Sequence, residues 1–356
     1  MSQSGQISAP GALDAGTIVV PDPARVPDGP LDQYAAEYGL RNSGARPTLT
    51  AYLASLWQRR HFIFSYATAR NVSMYTDARL GQVWQVLTPL LNSLVYYLIF
   101  GLLFEASRGV ANYPAYLVTG VFIFAFTERS VVVGSNVMRA NLSLMRALYF
   151  PRASLPLAYV MVELEQMLVG FLVLIPIMLV SHQYPSPYWL LLIPALGLQT
   201  MFNVGAALIV ARLGGSIADV SELIPFFLRI SRYFCGVMYL IITLPTYLDT
   251  WVKQVLSLNP FAVFIQLVRV ALMSSYRSDS AGNQPYNAHL CQLFLKDPGG
   301  SHMVAGKLVA NTPLQAYCHA IVTNNDLWIA GLAWGFGTLV VGLLFFWQAE
   351  NKYGRG

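Results

Sequence analysis

Apolar residues run along this chain in blocks of about 20, the length a helix needs to cross a hydrocarbon core of about 30 Å. Six such blocks stand out, at 83–104, 113–134, 155–180, 188–211, 223–246 and 327–348. Between the second and third lies 136–152, NVMRANLSLMRALYFPR, in which Met138, Leu142, Met145 and Leu148 or Phe150 recur on one side of a helix while Arg139 and Arg146 lie off it. Ahead of the first block, Leu49, Tyr52, Leu53, Leu56 and Trp57 recur at three- and four-residue spacing behind Thr48, a helix-capping residue, with Arg59 and Arg60 at the polar end. This pattern predicts an amphipathic helix that either lies on the membrane surface or packs on protein. After the fifth block, 259–273, NPFAVFIQLVRVALM, is apolar, too short to span and interrupted by Arg269, which fits a re-entrant or interfacial helix on the outer side.

The pattern divides the chain. Residues 1–47, with Pro21, Pro23, Pro27, Pro30 and Pro47 and no helical period, predict a disordered tail. An interface-helix region follows at 48–82, then a membrane domain at 83–348 that contains the hairpin 136–152 and an outer lobe at 247–326, then a short tail at 349–356. Seven Lys and Arg precede the first block, three lie in 135–154 and two in the tail, whereas the connections at 105–112 and 181–187 hold one, Arg108, and none. By the positive-inside rule both termini and the hairpin are cytoplasmic. The expected architecture is an all-α integral membrane protein of six transmembrane helices, with an amphipathic helix before them and a re-entrant outer helix between the fifth and sixth.

Composition agrees: 55% of residues are hydrophobic and 11% charged, against about 25% charged in soluble domains, and the mean hydropathy is positive. The net charge of +5 comes from basic residues beside apolar blocks, where topology accounts for them and nucleic acid need not. No run long enough to insert precedes residue 83, so no signal peptide is expected and the first block acts as an uncleaved span. The three cysteines, Cys235, Cys291 and Cys318, form no CxxC pair, and the five histidines (His61, His182, His289, His302, His319) do not cluster, so no metal site is expected. Cys291 and Cys318 are a disulfide candidate in an oxidising outer compartment, two free thiols being the alternative. With no GxxxxGK motif, no GxSxG and no HExxH, the sequence offers no catalytic residue and no phosphate loop, and energy for uphill transport would come from a partner or an ion gradient.

Ionisable residues inside apolar blocks are costly and should face protein or water. Glu128, Arg129, Glu163, Glu165, Arg229 and Arg232 are of this kind, and pairing of Glu163 or Glu165 with Arg229 or Arg232 is expected. Two stripes mix aromatic and polar groups at helical spacing: Gln85, Thr88, Asn92 and Tyr96 in the first block, and Glu222, Phe226, Arg229 and Tyr233 in the fifth. Such a surface suits sugar rings, which present C–H faces and hydroxyl edges, so Gln85, Asn92, Tyr96, Phe226, Arg229 and Tyr233 are candidate channel residues. The same stripes could instead hold helix to helix.

Several local sequences carry a resemblance. The stretch 70–89, RNVSMYTDARLGQVWQVLTP, resembles the entry to the first span of ABC-2 type permeases through Arg70, Tyr75, Leu80, Gly81, Trp84 and Pro89. YPAYLVTG at 113–120, then NLSLMRALYFPRASLP at 141–156 with its Phe150-Pro151 pair, resemble that family's second span and following hairpin, and Asn259-Pro260 with Arg269 its NP-containing segment. The resemblance covers about 65–273 and the final span, and is closest to Wzm-type permeases that export lipid-linked polysaccharides such as O-antigen and galactan, in particular the actinobacterial branch that exports galactan, the arabinogalactan precursor, for the cell wall. The sequence departs from the family at Arg70-Asn71 and Ala218-Asp219, where members often carry Arg-Asp pairs, and in the long tail and the 274–325 lobe.

The resemblance implies a homodimer in a bacterial plasma membrane, with two separate Wzt-type ATPase subunits that bring ATP and Mg while this chain binds no cofactor itself. Those subunits would dock on the hairpin, making Arg139, Leu142, Met145, Arg146, Phe150 and Pro151 the candidate coupling residues, and a lipid-linked polymer would pass between the two permeases among membrane lipids. Three rivals remain: a proton-coupled secondary transporter using Glu163 or Glu165, a membrane glycosyltransferase, and an ABC-2 permease for teichoic acid or a drug.

Overall fold

The structure, a computed structural model, describes residues 48–74, 81, 83–104, 112–147, 150–239, 241, 250–273, 301–304, 307–310 and 324–350. The expected tail 1–47 and both Cys291 and Cys318 lie outside the described residues. In chain order the helices are α1 (Leu49–Gln58), α2 (Arg60–Ser73), α3 (Val83–Tyr96, continued by a π-helical turn, Tyr97–Leu103), α4 (Tyr113–Ala140), α5 (Leu142–Ala147), α6 (Ser154–Val180), α7 (Leu192–Ser216), α8 (Ala218–Phe234), α9 (Thr250–Leu258), α10 (Pro260–Leu272) and α11 (Asn324–Gln348). A short antiparallel ladder, β1 (Ser301–Val304) with β2 (Lys307–Ala310), pairs Ser301 with Ala310 within the segment expected to form the outer lobe.

Among the described residues, five helical stretches are long and apolar enough to cross a membrane: Val86–Leu103, Tyr113–Ala140, Ser154–Val180, Pro187–Ser216 and Asn325–Gln348. They match the first four expected spans and the last. The expected fifth span, 223–246, is different. Its helical part belongs to α8, only 17 residues long, which begins ahead of it at Ala218, carries Asp219 and Arg232 and stops at Cys235 and Gly236, the latter at φ +68°. A left-handed glycine ends a helix readily because it has no Cβ to clash.

The start of the chain's described part follows the sequence closely. Thr48 caps α1, its hydroxyl accepting from the Ala51 N–H at 3.4 Å. Tyr52 and Leu56 are buried, whereas Leu53 and Trp57 face outward. One face of this helix packs on protein, as one of its two expected uses requires, and the other leaves apolar and aromatic groups exposed.

Helix α4 is the hub, with most of its side chains buried and α3, α6, α7, α8 and α10 packed around it. Small residues let backbones approach, as is usual between membrane helices. A Cβ added to Gly134 would lie 3.0 Å from Ala207 on α7. Another close approach joins α7 to α11: Gly205 lies against the Thr338 backbone, and a Cβ on Gly342 would meet the Gly205 Cα at 2.8 Å. Arg212 strengthens this pair, donating to the Phe345 carbonyl and lying 3.8 Å over the Phe345 ring.

Candidate functional site

The described residues of 136–152 form a short helical connection between α4 and α6. Helix α4 runs past the apolar block to Ala140; Asn141 ends it, α5 makes one and a half turns, and α6 begins at Ser154. Asn141 is held on both sides, accepting from the Tyr66 hydroxyl at 3.1 Å and donating to the Val137 carbonyl at 2.8 Å. Of the six candidate coupling residues, Met145 and Phe150 face inward, Phe150 with its ring 5.7 Å from that of Phe62 on α2. Leu142 is 41% exposed, so it does not share the buried side with Met138 and Met145 as its spacing suggested. The reason is the break at Asn141, which rotates α5 away from the helical phase of α4. Arg146 is exposed, and Arg139 and Pro151 are partly covered. The hairpin thus has an anchored inner side and an outer side made by Leu142, Ser143, Arg146 and Ala147.

The anchoring extends to residues not expected from the sequence. Helix α6 has no side-chain cap of its own, its N-cap being Ala153. The N–H groups of the two residues that lead into it, Arg152 and Ala153, are instead bonded from two distant segments. The Arg152 N–H donates to Glu350 Oε1 at 3.1 Å and the Ala153 N–H to the Tyr52 hydroxyl oxygen at 3.2 Å. The Tyr52 hydroxyl in turn donates to Glu350 Oε2 at 2.8 Å, and the Arg152 guanidinium donates to the Glu350 carbonyl oxygen at 2.6 Å. Burial pushes the Glu350 carboxyl above its usual range, against the pull of the Arg152 N–H, the Tyr52 hydroxyl and the Arg152 charge. A sequence signal existed: Glu350 follows the last apolar block directly, where a lone acidic residue has no topological purpose.

The charges within the helices pair differently from expectation. Glu163 meets Arg129 at 3.1 Å, Glu165 accepts from Thr68 at 3.1 Å and Asn71 at 3.0 Å on α2, and Arg232 meets Glu128. Neither Glu163 nor Glu165 pairs with Arg229 or Arg232, because α6 and α8 both pack on α4, where Arg129 and Glu128 offer the opposite charges, and α2 lies along α6 beside Glu165. Arg232 also donates to the Tyr96 hydroxyl at 2.6 Å and sits 5.2 Å over the Phe124 ring, joining α3, α4 and α8. Of the candidate channel residues, Tyr96 is thus drawn into a polar cluster with Arg232. Asn92, Arg229 and Tyr233 are exposed, as is Phe226 at 60%. The side chain of Gln85 lies outside the described residues.

At the far end of α4 from the hairpin, Arg269 accounts for the break after α8. It is fully buried, donating to the carbonyls of Gly236 (2.9 Å), Val237 (3.0 Å) and Tyr116 (2.9 Å), with its guanidinium 3.3 Å over the Tyr116 ring. Tyr113 and Tyr116 add hydroxyl donors to the carbonyls of Met238 and Gly236, both at 2.8 Å. Irregular backbone among membrane helices persists only where protein satisfies it. A cation at carbonyls released by a helix C-terminus also has the favourable sign.

A multi-span helical membrane protein without a phosphate loop, bearing an anchored hairpin with one exposed side, defines a transporter's membrane component. The model of the ABC-2 type transporter family matches residues 63–273, and the chain belongs to that family. It is a multi-pass protein of the bacterial plasma membrane. Two O-antigen export system permease proteins RfbA of Klebsiella pneumoniae are each 27% identical to it, over 54% and 56% of this chain and 72% and 75% of their own lengths. The polysialic acid transport protein KpsM of Escherichia coli is 24% identical over 56% of this chain and 77% of its own.

Proposed function

We propose that this chain is the membrane subunit of an ABC exporter for a lipid-linked polysaccharide, with cell-wall galactan as its substrate. It works as a homodimer with two separate Wzt-type ATPase subunits, which supply ATP and Mg. The chain crosses the membrane six times, α8 and the segment after it making the fifth crossing, and both termini are cytoplasmic. Residues 259–273 form the outer re-entrant helix.

The observation that carries this reading is the hairpin, whose inner side is fixed to the protein while Leu142, Ser143, Arg146 and Ala147 stand outward on a rigid short helix. A surface of that form suits a motor that docks from outside. Similarity to export permeases for two polysaccharides supports the substrate class. The exposed aromatic and polar residues Asn92, Phe226, Arg229 and Tyr233 support a sugar path on that side of the protomer. Glu163, the carboxylate a proton-coupled carrier would use, is engaged by Arg129, which favours a structural role for it.

The test is co-purification with an ATPase subunit, followed by analysis of the lipid-linked glycans that accumulate when the chain is depleted. Accumulation of a lipid-linked galactan is expected. An unchanged glycolipid pool on depletion would overturn the reading.

A further inference from the structure

The start of α6 is where three segments far apart in sequence meet: α1 through Tyr52, the hairpin through Arg152 and Ala153, and the end of α11 through Glu350. Behind this junction lies one apolar cluster that includes Leu56, Met138, Met145, Phe150, Leu155 and Phe346, so the polar contacts close over a packed body. An apolar residue could fill the place of Glu350 without the cost of burying a carboxylate. What only the carboxylate supplies is a directional acceptor for the Arg152 N–H and the Tyr52 hydroxyl together.

We propose that Glu350 and Tyr52 are positioning residues for the coupling hairpin: they pin Arg152 and Ala153, the two residues that lead into α6, so that the hairpin, the interface helix and the last span move as one body. This rests on the reading of 136–152 as the point where the ATPase acts. Without these two side chains, the joint between α5 and α6 keeps its local bonds, Ser154 N–H to the Pro151 carbonyl (2.9 Å) and Leu155 N–H to the Arg152 carbonyl (3.2 Å), and the flexible Arg152 side chain's bond to the Glu350 main-chain carbonyl, but its backbone at Arg152 and Ala153 is no longer held, and a push on α5 is lost as bending at the joint.

The experiment uses the full permease with its ATPase subunit in proteoliposomes loaded with lipid-linked galactan, comparing wild type with Glu350→Ala, Glu350→Gln and Tyr52→Phe. Export per ATP hydrolysed is measured, together with the distance between spin labels at position 143 on α5 and position 337 on α11. Glu350→Ala is expected to lower export per ATP by about ten-fold and to broaden the label distances, with the ATPase still bound. Glu350→Gln keeps an acceptor for the Arg152 N–H and should restore most of both readouts, and Tyr52→Phe, which keeps the ring, should fall between. Wild-type ratios and sharp distances in Glu350→Ala would overturn the proposal, as would equal losses in the Ala and Gln variants. The label distances test the junction whatever polymer is carried, whereas absence of ATP-driven export by wild type would overturn the exporter reading alone.

Discussion

The two ends of α4 meet the same difficulty, backbone groups released where a helix starts or stops, with opposite charges. At the hairpin end, N–H groups at the start of α6 face the Glu350 carboxylate and the Tyr52 hydroxyl. At the other end, carbonyls after α8 face the Arg269 guanidinium and the hydroxyls of Tyr113 and Tyr116. Each sign follows the helix dipole. The difference lies in burial. Arg269 is wholly enclosed, with three carbonyls and an aromatic face around it, whereas Glu350 is only partly covered. The enclosed end is built to stay fixed, and the partly covered end retains freedom to respond.

That contrast can be broken most directly at Arg269. Arg269→Met leaves buried carbonyls without their charged donor and should cost about 3 kcal/mol or more, seen as loss of monodisperse protein or a large fall in Tm. A stable Arg269→Met protein would remove the claim that this end is the fixed one. Next, Gly120→Leu forces a side chain against Arg269 and the Val237 carbonyl, a Cβ already lying 3.2 Å from that oxygen, and should cost about 1–3 kcal/mol by overpacking. Tyr116→Phe removes one donor to Gly236 and should cost about 1 kcal/mol, measured as a fall in Tm.

The smaller effects belong to the hairpin. Leu142→Asp should change stability by no more than about 0.5 kcal/mol, yet abolish transport-linked ATPase stimulation in the reconstituted complex; normal stimulation would show that the outer side of α5 is not the docking surface. The last test is of pH. The Glu350 carboxyl titrates above its ordinary 4.5, so between that value and the raised one the native protein holds more protons than the unfolded chain. Stability then falls as pH rises through that interval, and Glu350→Gln should flatten this part of the Tm profile.

Helix existence was legible because burial writes itself into hydrophobic period: the Thr48 cap, the long α4, the basic hairpin and the short helix bearing Arg269 were all readable. What was not readable depended on how helices register against one another. The pairing of Glu163 with Arg129 rather than Arg229 or Arg232 is set by which faces meet, and nothing local encodes it. The outward turn of Leu142 depends on one residue, Asn141, breaking the helical phase. Tyr52 and Glu350 lie at opposite ends of the described chain, so their contact exists only once the fold is complete.

The contact of Gly205 with Thr338 and Gly342 carries a practical consequence. Where backbone rests on backbone there is no side chain to change rotamer and no gap to close, so α7 and α11 cannot slide past each other in small steps. Probes fixed on these two helices supply a stationary origin for the molecule. Displacements of α3 and α8 during a transport cycle can be charted as coordinates from that origin, without reference to the lipid.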